Sequence, residues 1–336
     1  MERGLAAVES LVLELIAGER SFDEVRDAVE RYQRARIALL DRFWGSGPWL
    51  RGVPTDAFRT LRMGTDEGEI ERTFETSGTT QASKGVCERR STRAYAEGAR
   101  RQFAAQIGDP RGFRWVSLVP SVDEAPRSSL AFMVDLLSAN AARTYVWRGG
   151  ALDRAAAVDA LTAGAALGEP VLVFGTAFAL AALSDETELP ALPDGSWVID
   201  TGGFKGQRVT VDASTLRAEL AERLSVPAAR VVTEYSMTEL SSQLYGRDVL
   251  VPPPWCRVTA VDPDTLAPLG DGEEGLLHFL DLANVDVPCT IQTSDLGVVT
   301  RRGVELHGRA RGATPRGCSL DAERLLETSL SRRGFT

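Results

Sequence analysis

Three segments combine residue types that handle phosphate-bearing ligands. Thr76-Ser77-Gly78-Thr79-Thr80-Gln81-Ala82-Ser83-Lys84-Gly85 brings together small hydroxyl residues, glycines and one ammonium. Such a loop lets backbone N–H groups approach an anion and meets it with a point charge. The spacing is not that of the Walker-type loop, G-x-x-x-x-G-K-[ST], so a P-loop NTPase is excluded, while a plain solvated turn has the same composition. Asp200-Thr201-Gly202-Gly203-Phe204-Lys205-Gly206 follows a β-rich run, and its paired glycines allow a flat ligand to lie against bare backbone. Thr233-Glu234-Tyr235-Ser236-Met237-Thr238-Glu239 leaves another such run with an aromatic ring, hydroxyls and a carboxylate suited to Mg²⁺. An ordinary β-to-α turn and a polar loop entering a helix would read the same way.

Of the 38 Lys plus Arg residues only Lys84 and Lys205 are lysines, and each stands beside a glycine within these segments. A compact ammonium does what a planar guanidinium does not, which marks both positions. The four cysteines, at 87, 256, 289 and 318, form no C-x-x-C pair, and with two histidines the chain offers neither a zinc knuckle nor a disulfide framework. Cys87, Cys256 and Cys289 lie in apolar or strand-like settings and read as packing residues. Cys318, between Arg316 and a predicted helix start, is a candidate nucleophile because nearby cationic charge favours the thiolate. His278 falls in a predicted strand as a structural residue, and His307, just before Gly308-Arg309, is a candidate to face the site.

In order and spacing these segments resemble the adenylate-forming superfamily of acyl-CoA ligases, firefly-type luciferases and peptide-synthetase adenylation domains. Thr76 to Gly85 is similar to its phosphate loop, Thr201-Gly202-Gly203 to its adenine-side turn, and Tyr235 to Glu239 to its aromatic-Gly-x-Thr-Glu motif. Thr293-Ser294-Asp295-Leu296-Gly297 resembles its Thr-Gly-Asp element and Gly308-Arg309 its Gly-Arg hinge. Gln81 and Ser83 stand where the superfamily shows Gly and Pro, and Ser236 and Ser294 stand where it shows Gly.

The resemblance implies ATP and Mg²⁺ as cofactors. Thr76, Ser77, Gly78, Thr79, Thr80 and Lys84 are then expected at the phosphates, Gly202, Gly203, Tyr235, Ser236 and Met237 around adenine, and Thr238 at the α-phosphate. Glu239 is expected on Mg²⁺ and Asp295 on the ribose, with Arg309 nearby. It also implies attack of a carboxylate on the α-phosphorus to give an acyl-adenylate.

After Arg309 the chain has no lysine, unlike full-length ligases, whose mobile domain bears a catalytic one. The LuxE-type acyl-protein synthetases share that plan, and they resemble this chain in the Thr-Gly-Gly-x-Lys-Gly turn and in Arg316-Gly317-Cys318-Ser319-Leu320. This closer resemblance implies acyl transfer through Cys318 to an acceptor protein or carrier, with Lys205 as a second cation. A phenylacetate-CoA-ligase-like enzyme using coenzyme A and a degenerate nucleotide-binding interaction module are the alternatives.

The elements needed to position these segments are legible as a pattern. Ser21 and Glu24 form a capping-box signal, and Val25, Val29, Tyr32, Ala35, Leu39 and Phe43 trace one helical face up to Gly45, so residues 1–45 read as a helical layer. Runs at 115–119, 144–147, 171–174, 197–199 and 231–233 alternate with helical stretches at 128–142, 152–167 and 216–224, the order of a mostly parallel sheet flanked by helices. Residues 46–251 thus read as an α/β core. Beyond Pro252-Pro253-Pro254, runs at 257–261, 275–280, 288–292 and 297–300 read as a smaller antiparallel β subdomain over 252–311, with 312–336 as a tail. The fold class expected is α/β, of adenylation-domain type without the full mobile domain. Val119-Pro120-Ser121 and Phe174-Gly175-Thr176-Ala177-Phe178 leave strands at the ligand end and are expected to form an apolar site for a carboxylic acid.

With 336 residues, 43% hydrophobic and 25% charged, the chain reads as a folded globular protein. A net charge of −9 argues against a nucleic-acid partner. Glu14 interrupts the apolar stretch Leu11 to Ala17, and no apolar run reaches the ~18 residues of a membrane helix, so no leader or membrane association is expected and the cytoplasm is the expected compartment.

Overall fold

The computed structural model describes residues 4–45, 49–76, 84–186, 188–201 and 213–310. The chain opens with helices α1 (Leu5–Ala17), α2 (Phe22–Arg36) and α3 (Leu40–Trp44), followed by the short strand β1 (Val53–Pro54). A hairpin of β2 (Arg72–Glu75) and β3 (Val86–Arg89) comes next, then helix α4 (Arg93–Gln106). The α/β part runs β4 (Arg114–Ser117), α5 (Ser129–Ser138), β5 (Arg143–Tyr145), β6 (Trp147–Arg148), β7 (Ala151–Leu152), α6 (Arg154–Leu167), β8 (Val171–Thr176), α7 (Ala177–Ser184), β9 (Trp197–Thr201), α8 (Ala213–Arg223), β10 (Val231–Tyr235) and β11 (Leu244–Gly246). It ends with β12 (Cys256–Val261), β13 (Glu274–Asp281), β14 (Thr290–Thr300) and β15 (Gly303–Arg309).

These elements form two compact units, interleaved along the chain. One draws on 4–98, 237–242 and 251–310, the other on 99–236 and 243–250. The first contains the amino-terminal helices, the β2–β3 hairpin and a sheet in the order β1-β14-β13-β12 with β15 also paired to β14. The second contains a six-stranded sheet ordered β11-β10-β9-β8-β4-β5. Its strands are parallel except β11, which pairs antiparallel with β10.

In the second unit each parallel step is bridged by a helix, α5 to α8, because a parallel connection must return the chain to the same end of the sheet. The apolar β-branched residues Val116, Val171, Val173, Val198 and Val231 face Leu161, Leu180, Leu216 and Leu220 of those helices. Every one of these side chains is almost wholly buried. At roughly 25 cal/mol per Å² of apolar surface removed from water, this contact is what holds the helices onto the sheet.

In the first unit α2 begins at a capping box, where Glu24 accepts from the Ser21 N–H at 3.1 Å and from its hydroxyl at 2.7 Å. The face anticipated as one helix through residue 43 breaks at Ile37. That residue takes extended angles (φ −107°, ψ 97°), and the chain restarts as α3, burying Leu40, Phe43 and Trp44. The two runs expected at 288–292 and 297–300 are a single strand, β14. β13 pairs along 290–292 and 296–298 and β15 along 295–300; the register with β13 shifts across Thr293, Ser294 and Asp295, so the strand bulges there without ending.

The register slips between Leu296 and Gly297, where Gly297 leaves no room for a side chain: a Cβ there would lie 2.5 Å from the Glu305 carbonyl oxygen. Across from the slip, Gly308 has φ +103°, a backbone state that suits glycine. Among the described residues, no helix is long and apolar enough to cross a membrane.

Candidate functional site

The hairpin fixes both ends of the Thr76–Gly85 segment. Phe74 and Cys87 are directly opposed and buried, while Thr73, Glu75, Val86 and Glu88 face the other side. Beyond the ladder, the Thr76 N–H donates to the Gly85 carbonyl at 2.9 Å and the Gly85 N–H to the Thr76 hydroxyl at 2.9 Å. The two ends of the segment are thereby clamped together. Lys84 is half-exposed, its Nζ 3.4 Å from Glu75 Oε2. An exposed pair of this kind is worth ~0–1 kcal/mol, so the ammonium is easily redirected to a stronger anion.

Thr238 and Glu239 belong to the same unit as the hairpin. Glu239 is 4% exposed, and its backbone carbonyl accepts from Asn284 Nδ2 at 2.8 Å. Asn284 Oδ1 in turn accepts from Arg89 Nη1 at 3.1 Å, and Arg89 ends strand β3. Burial pushes the Cys87 thiol up to about 12, opposed by the charge of Arg89 and helped to a lesser extent by those of Asp286, Glu239 and Glu88. Glu239 and the strand that follows Lys84 therefore lie within electrostatic reach of each other.

Mg²⁺ suits the donor set present. Among the described residues no group of three His, Cys, Asp or Glu could cage a metal. Mg²⁺ is commonly held by one or two carboxylates together with substrate phosphates. A single carboxylate such as Glu239, together with the phosphates of a bound nucleotide, would have that chemistry.

On β14, the Asp295 N–H donates to the Thr293 hydroxyl at 3.1 Å, and that hydroxyl donates to the Leu277 carbonyl at 2.9 Å. Arg309, the register partner of Asp295 on β15, donates from Nε to Asp295 Oδ1 at 2.8 Å. The Thr-Ser-Asp and Gly-Arg segments, fourteen residues apart, are thus brought into direct contact.

In the second unit, β9 and β10 end side by side. Thr233 opposes Asp200 and Glu234 opposes Thr201. Thr233 donates to Asp200 Oδ2 at 2.9 Å, and Thr201 donates to Glu234. Arg217 of α8 donates to Thr233 at 3.1 Å and lies 3.6 Å from Asp248. Burial pushes the Asp200 carboxyl up to about 6, against the hydrogen bond from Thr233 and the charge of Arg217. These two cross-strand pairs fix the strand ends from which the 201–206 and 235–239 segments depart. Tyr235, at the end of β10, and Ser236 belong to this unit, and Met237 to the first.

Ser77, Gly78, Thr79, Thr80, Gly202, Gly203, Lys205 and Cys318 lie outside the described residues. The other three cysteines are buried, and burial is the leading cause that raises their thiol pKa values, which fits packing rather than nucleophilic use. His278 is buried with Nε2 3.1 Å from the Leu50 carbonyl, and burial pulls it down to about 4. His307 pairs through Nδ1 with Glu274 at the half-exposed surface of the β sheet.

Ser121 lines a cavity of about 500 Å³, but its walls include Asp123, Glu124, Asp135, Arg143 and Arg148 rather than the apolar surface expected there. Phe178 is exposed. Sequence reasoning missed the buried polar residues that tie the first unit's segments together, Gln33, Arg89, Asp281, Asn284 and Asp286. For Gln33 there was a signal: a polar residue one turn beyond Val29 on an otherwise apolar helix face.

The second of two curated relatives, the long-chain-fatty-acid–luciferin-component ligase of Aliivibrio fischeri, is 32% identical over 146 residues, 40% of this chain and 39% of that protein. Its Vibrio harveyi counterpart is 29% identical over 135 residues, 37% of this chain and 36% of that protein. The matched region thus spans well under half the length of these relatives.

Among solved structures, ATP-bound MatB from Rhodopseudomonas palustris superposes with a TM-score of 0.54 at 13% identity, over 73% of this chain and 49% of that one. McyG A-PCP complexed with phenylalanyl-adenylate gives a TM-score of 0.55 at 15% identity, over 72% and 47%. These likenesses show the fold to be that of the adenylate-forming enzymes. Residues 50–326 match the family described as acyl-protein synthetase, LuxE. The chain belongs to the LuxE acyl-protein synthetase family.

Proposed function

We propose that this protein uses ATP to activate a carboxylic acid as an acyl-adenylate and passes the acyl group through Cys318 to a protein or carrier acceptor. The observation that carries the reading is the tie between the phosphate-loop hairpin and the Glu239 segment through Arg89 and Asn284. It supports the reading because Lys84, at the end of the hairpin, and Glu239, read here as the metal carboxylate, belong to the same unit.

In the first step a carboxylate oxygen of the acid attacks the α-phosphorus. The bond to the bridging oxygen of the β-phosphate breaks, and pyrophosphate leaves with the electron pair. Such transfers depend on positioning and charge neutralisation more than on an acid or base. Lys84 and the hydroxyls and N–H groups of 76–80 would meet the phosphates, Thr238 the α-phosphate, Tyr235 the adenine face and Asp295 the ribose. Glu239 would hold a Mg²⁺ that neutralises phosphate charge. Lys205 would supply a second cation near the adenylate.

In the second step the Cys318 thiolate attacks the acyl carbon, AMP leaves, and a thioester forms that the acceptor's nucleophile then resolves. The relatives named as long-chain-fatty-acid ligases put long-chain acids first among candidates.

Incubation with ATP, Mg²⁺ and a panel of fatty, aromatic and hydroxy acids, read by intact mass, tests the scheme. The expected result is an acyl-sized increment with one acid class that disappears in Cys318→Ser while pyrophosphate exchange persists. Exchange with no increment, and an acyl-CoA product on adding coenzyme A, would overturn the cysteine step. No exchange with any acid would leave a nucleotide-binding module.

A further inference from the structure

Strand β13 and the turn after it run through sequence that is almost entirely buried from Gly275 to Ile291, yet polar residues punctuate it at Asp281, Asn284 and Asp286. Each is almost completely removed from water, which is costly unless every polar atom is matched.

Asn284 is matched four ways. Its Nδ2 donates to the carbonyls of Glu239 (2.8 Å) and Pro288 (2.9 Å), and its Oδ1 accepts from the Ser241 hydroxyl (2.8 Å) and from Arg89 Nη1 (3.1 Å). That uses the full capacity of an amide, two donors and two lone pairs.

The neighbouring acids act on the same segments. Asp281 accepts from the N–H groups of Ser241 and Ser242, each at 2.9 Å, and from the Ser242 hydroxyl at 2.7 Å. Asp286 lies 3.5 Å from Arg89 and accepts from the N–H groups of Arg90 and of Ser91, the latter at 3.2 Å. From the other side Gln33 of α2 donates to the carbonyls of Asn284, Val285 and Val287 at 2.6–3.0 Å, and it accepts from the Cys289 N–H at 2.9 Å.

The pieces joined by Asn284 are the hairpin strand that leaves Lys84, the segment bearing Thr238 and Glu239, and the turn that leads into β14 and Asp295. We infer that Asn284 is a positioning residue: it locks the backbone of Glu239 to the phosphate-loop hairpin, so that metal and nucleotide phosphates are met by one rigid frame. The inference rests on the reading of Glu239 as the metal carboxylate.

A neutral amide is suited to this role. It satisfies a guanidinium and a hydroxyl on one edge and two carbonyls on the other, adding no charge beside Asp281, Asp286 and Glu239. Shortening it to alanine leaves Glu239 in place chemically but loses the bond that fixes its backbone relative to β3. Because Glu239 would meet the metal and not the nucleotide, the loss should fall on Mg²⁺-dependent binding.

The test is calorimetric titration of ATP, with and without Mg²⁺, into the full chain and into Asn284→Ala and Ser241→Ala, each first checked for a native near-UV spectrum and unfolding midpoint. The expected result is an affinity about tenfold weaker for Asn284→Ala with Mg²⁺ present and changed less than about twofold without it. The half-saturating Mg²⁺ concentration for pyrophosphate exchange should rise in parallel.

Ser241→Ala removes the hydroxyl bond to Oδ1 while leaving Asn284 itself in place, and should shift the same Mg²⁺-dependent values about threefold. It carries the test if Asn284→Ala does not fold. Equal loss with and without Mg²⁺, or binding like that of the unmodified chain in both variants, overturns the positioning role. If the unmodified chain binds ATP in neither condition, the proposed function itself fails, and this inference fails with it.

Discussion

Replacing Gln33 with leucine tests whether the amino-terminal helix holds the turn that carries Asn284. The Gln33 side chain is fully buried and makes four hydrogen bonds, to the carbonyls of Asn284, Val285 and Val287 and from the Cys289 N–H. Leucine has nearly the same volume, so no large cavity results. Each lost bond contributes ~0.5–1.5 kcal/mol net, and a buried backbone group left without a partner costs ~1–3 kcal/mol. Part of this is offset by the leucine's own burial and by local relaxation. The expected loss is about 3–5 kcal/mol, a large fraction of the ~5–15 kcal/mol typical of folded proteins. Gln33→Glu should be worse at neutral pH, since it turns two donors into acceptors facing three carbonyls. Urea unfolding followed by fluorescence reads the effect through Trp44 and Trp255, both buried in the same unit. A loss below about 1 kcal/mol in Gln33→Leu would refute the reasoning, because the turn would then hold itself without the helix.

Other consequences follow from the same geometry. Asp200 is raised to about 6 by burial, so between about pH 4 and 6 the folded chain keeps a proton the unfolded chain has released, and this residue lowers stability as pH rises through that window. Asp200→Asn should remove up to ~3 kcal/mol of that pH dependence, read as the difference between the two unfolding curves at pH 4 and pH 7. His278 works in the opposite sense. It is held neutral down to about 4, so its contribution is intact above about 6.5 and is lost as pH falls towards 4, and His278→Gln should blunt acid destabilisation in that range. Lys84→Ala should leave the unfolding midpoint within ~0.5 kcal/mol, since it breaks only an exposed pair, while weakening ATP binding about tenfold or more. Equal effects on stability and binding would contradict its role at the phosphates.

The parallel sheet was legible because its strands are short β-branched runs separated by stretches long enough for a helix. Four helices do fill those gaps. One of them, α7, was not named in advance: Ala177–Ser184 is apolar all round and shows no 3.6-residue period. The β2–β3 hairpin was also missed, because only Phe74 and Cys87 mark its buried face between charged neighbours. β14 was read as two strands, since it continues through a bulge at 293–295, where β13 offers no register partner, and local sequence does not encode the pairing with β13 and β15 on either side of it.

The candidate loops could be picked out by residue type, and the fold brings Asp295 and Arg309 into contact. The frame that holds Glu239 could not. Gln33, Arg89 and Asn284 act through distant partners, 43 to 256 positions away, and in the sequence they look like ordinary polar residues.

The central claim, that ATP activates a carboxylic acid at the frame joining Lys84 and Glu239, is tested most directly by exchange of radiolabelled pyrophosphate into ATP across a broad acid panel. The account predicts exchange that requires Mg²⁺ and one class of acid, and that falls sharply in Lys84→Ala and Glu239→Gln while both variants stay folded. Exchange that persists in both variants would contradict it.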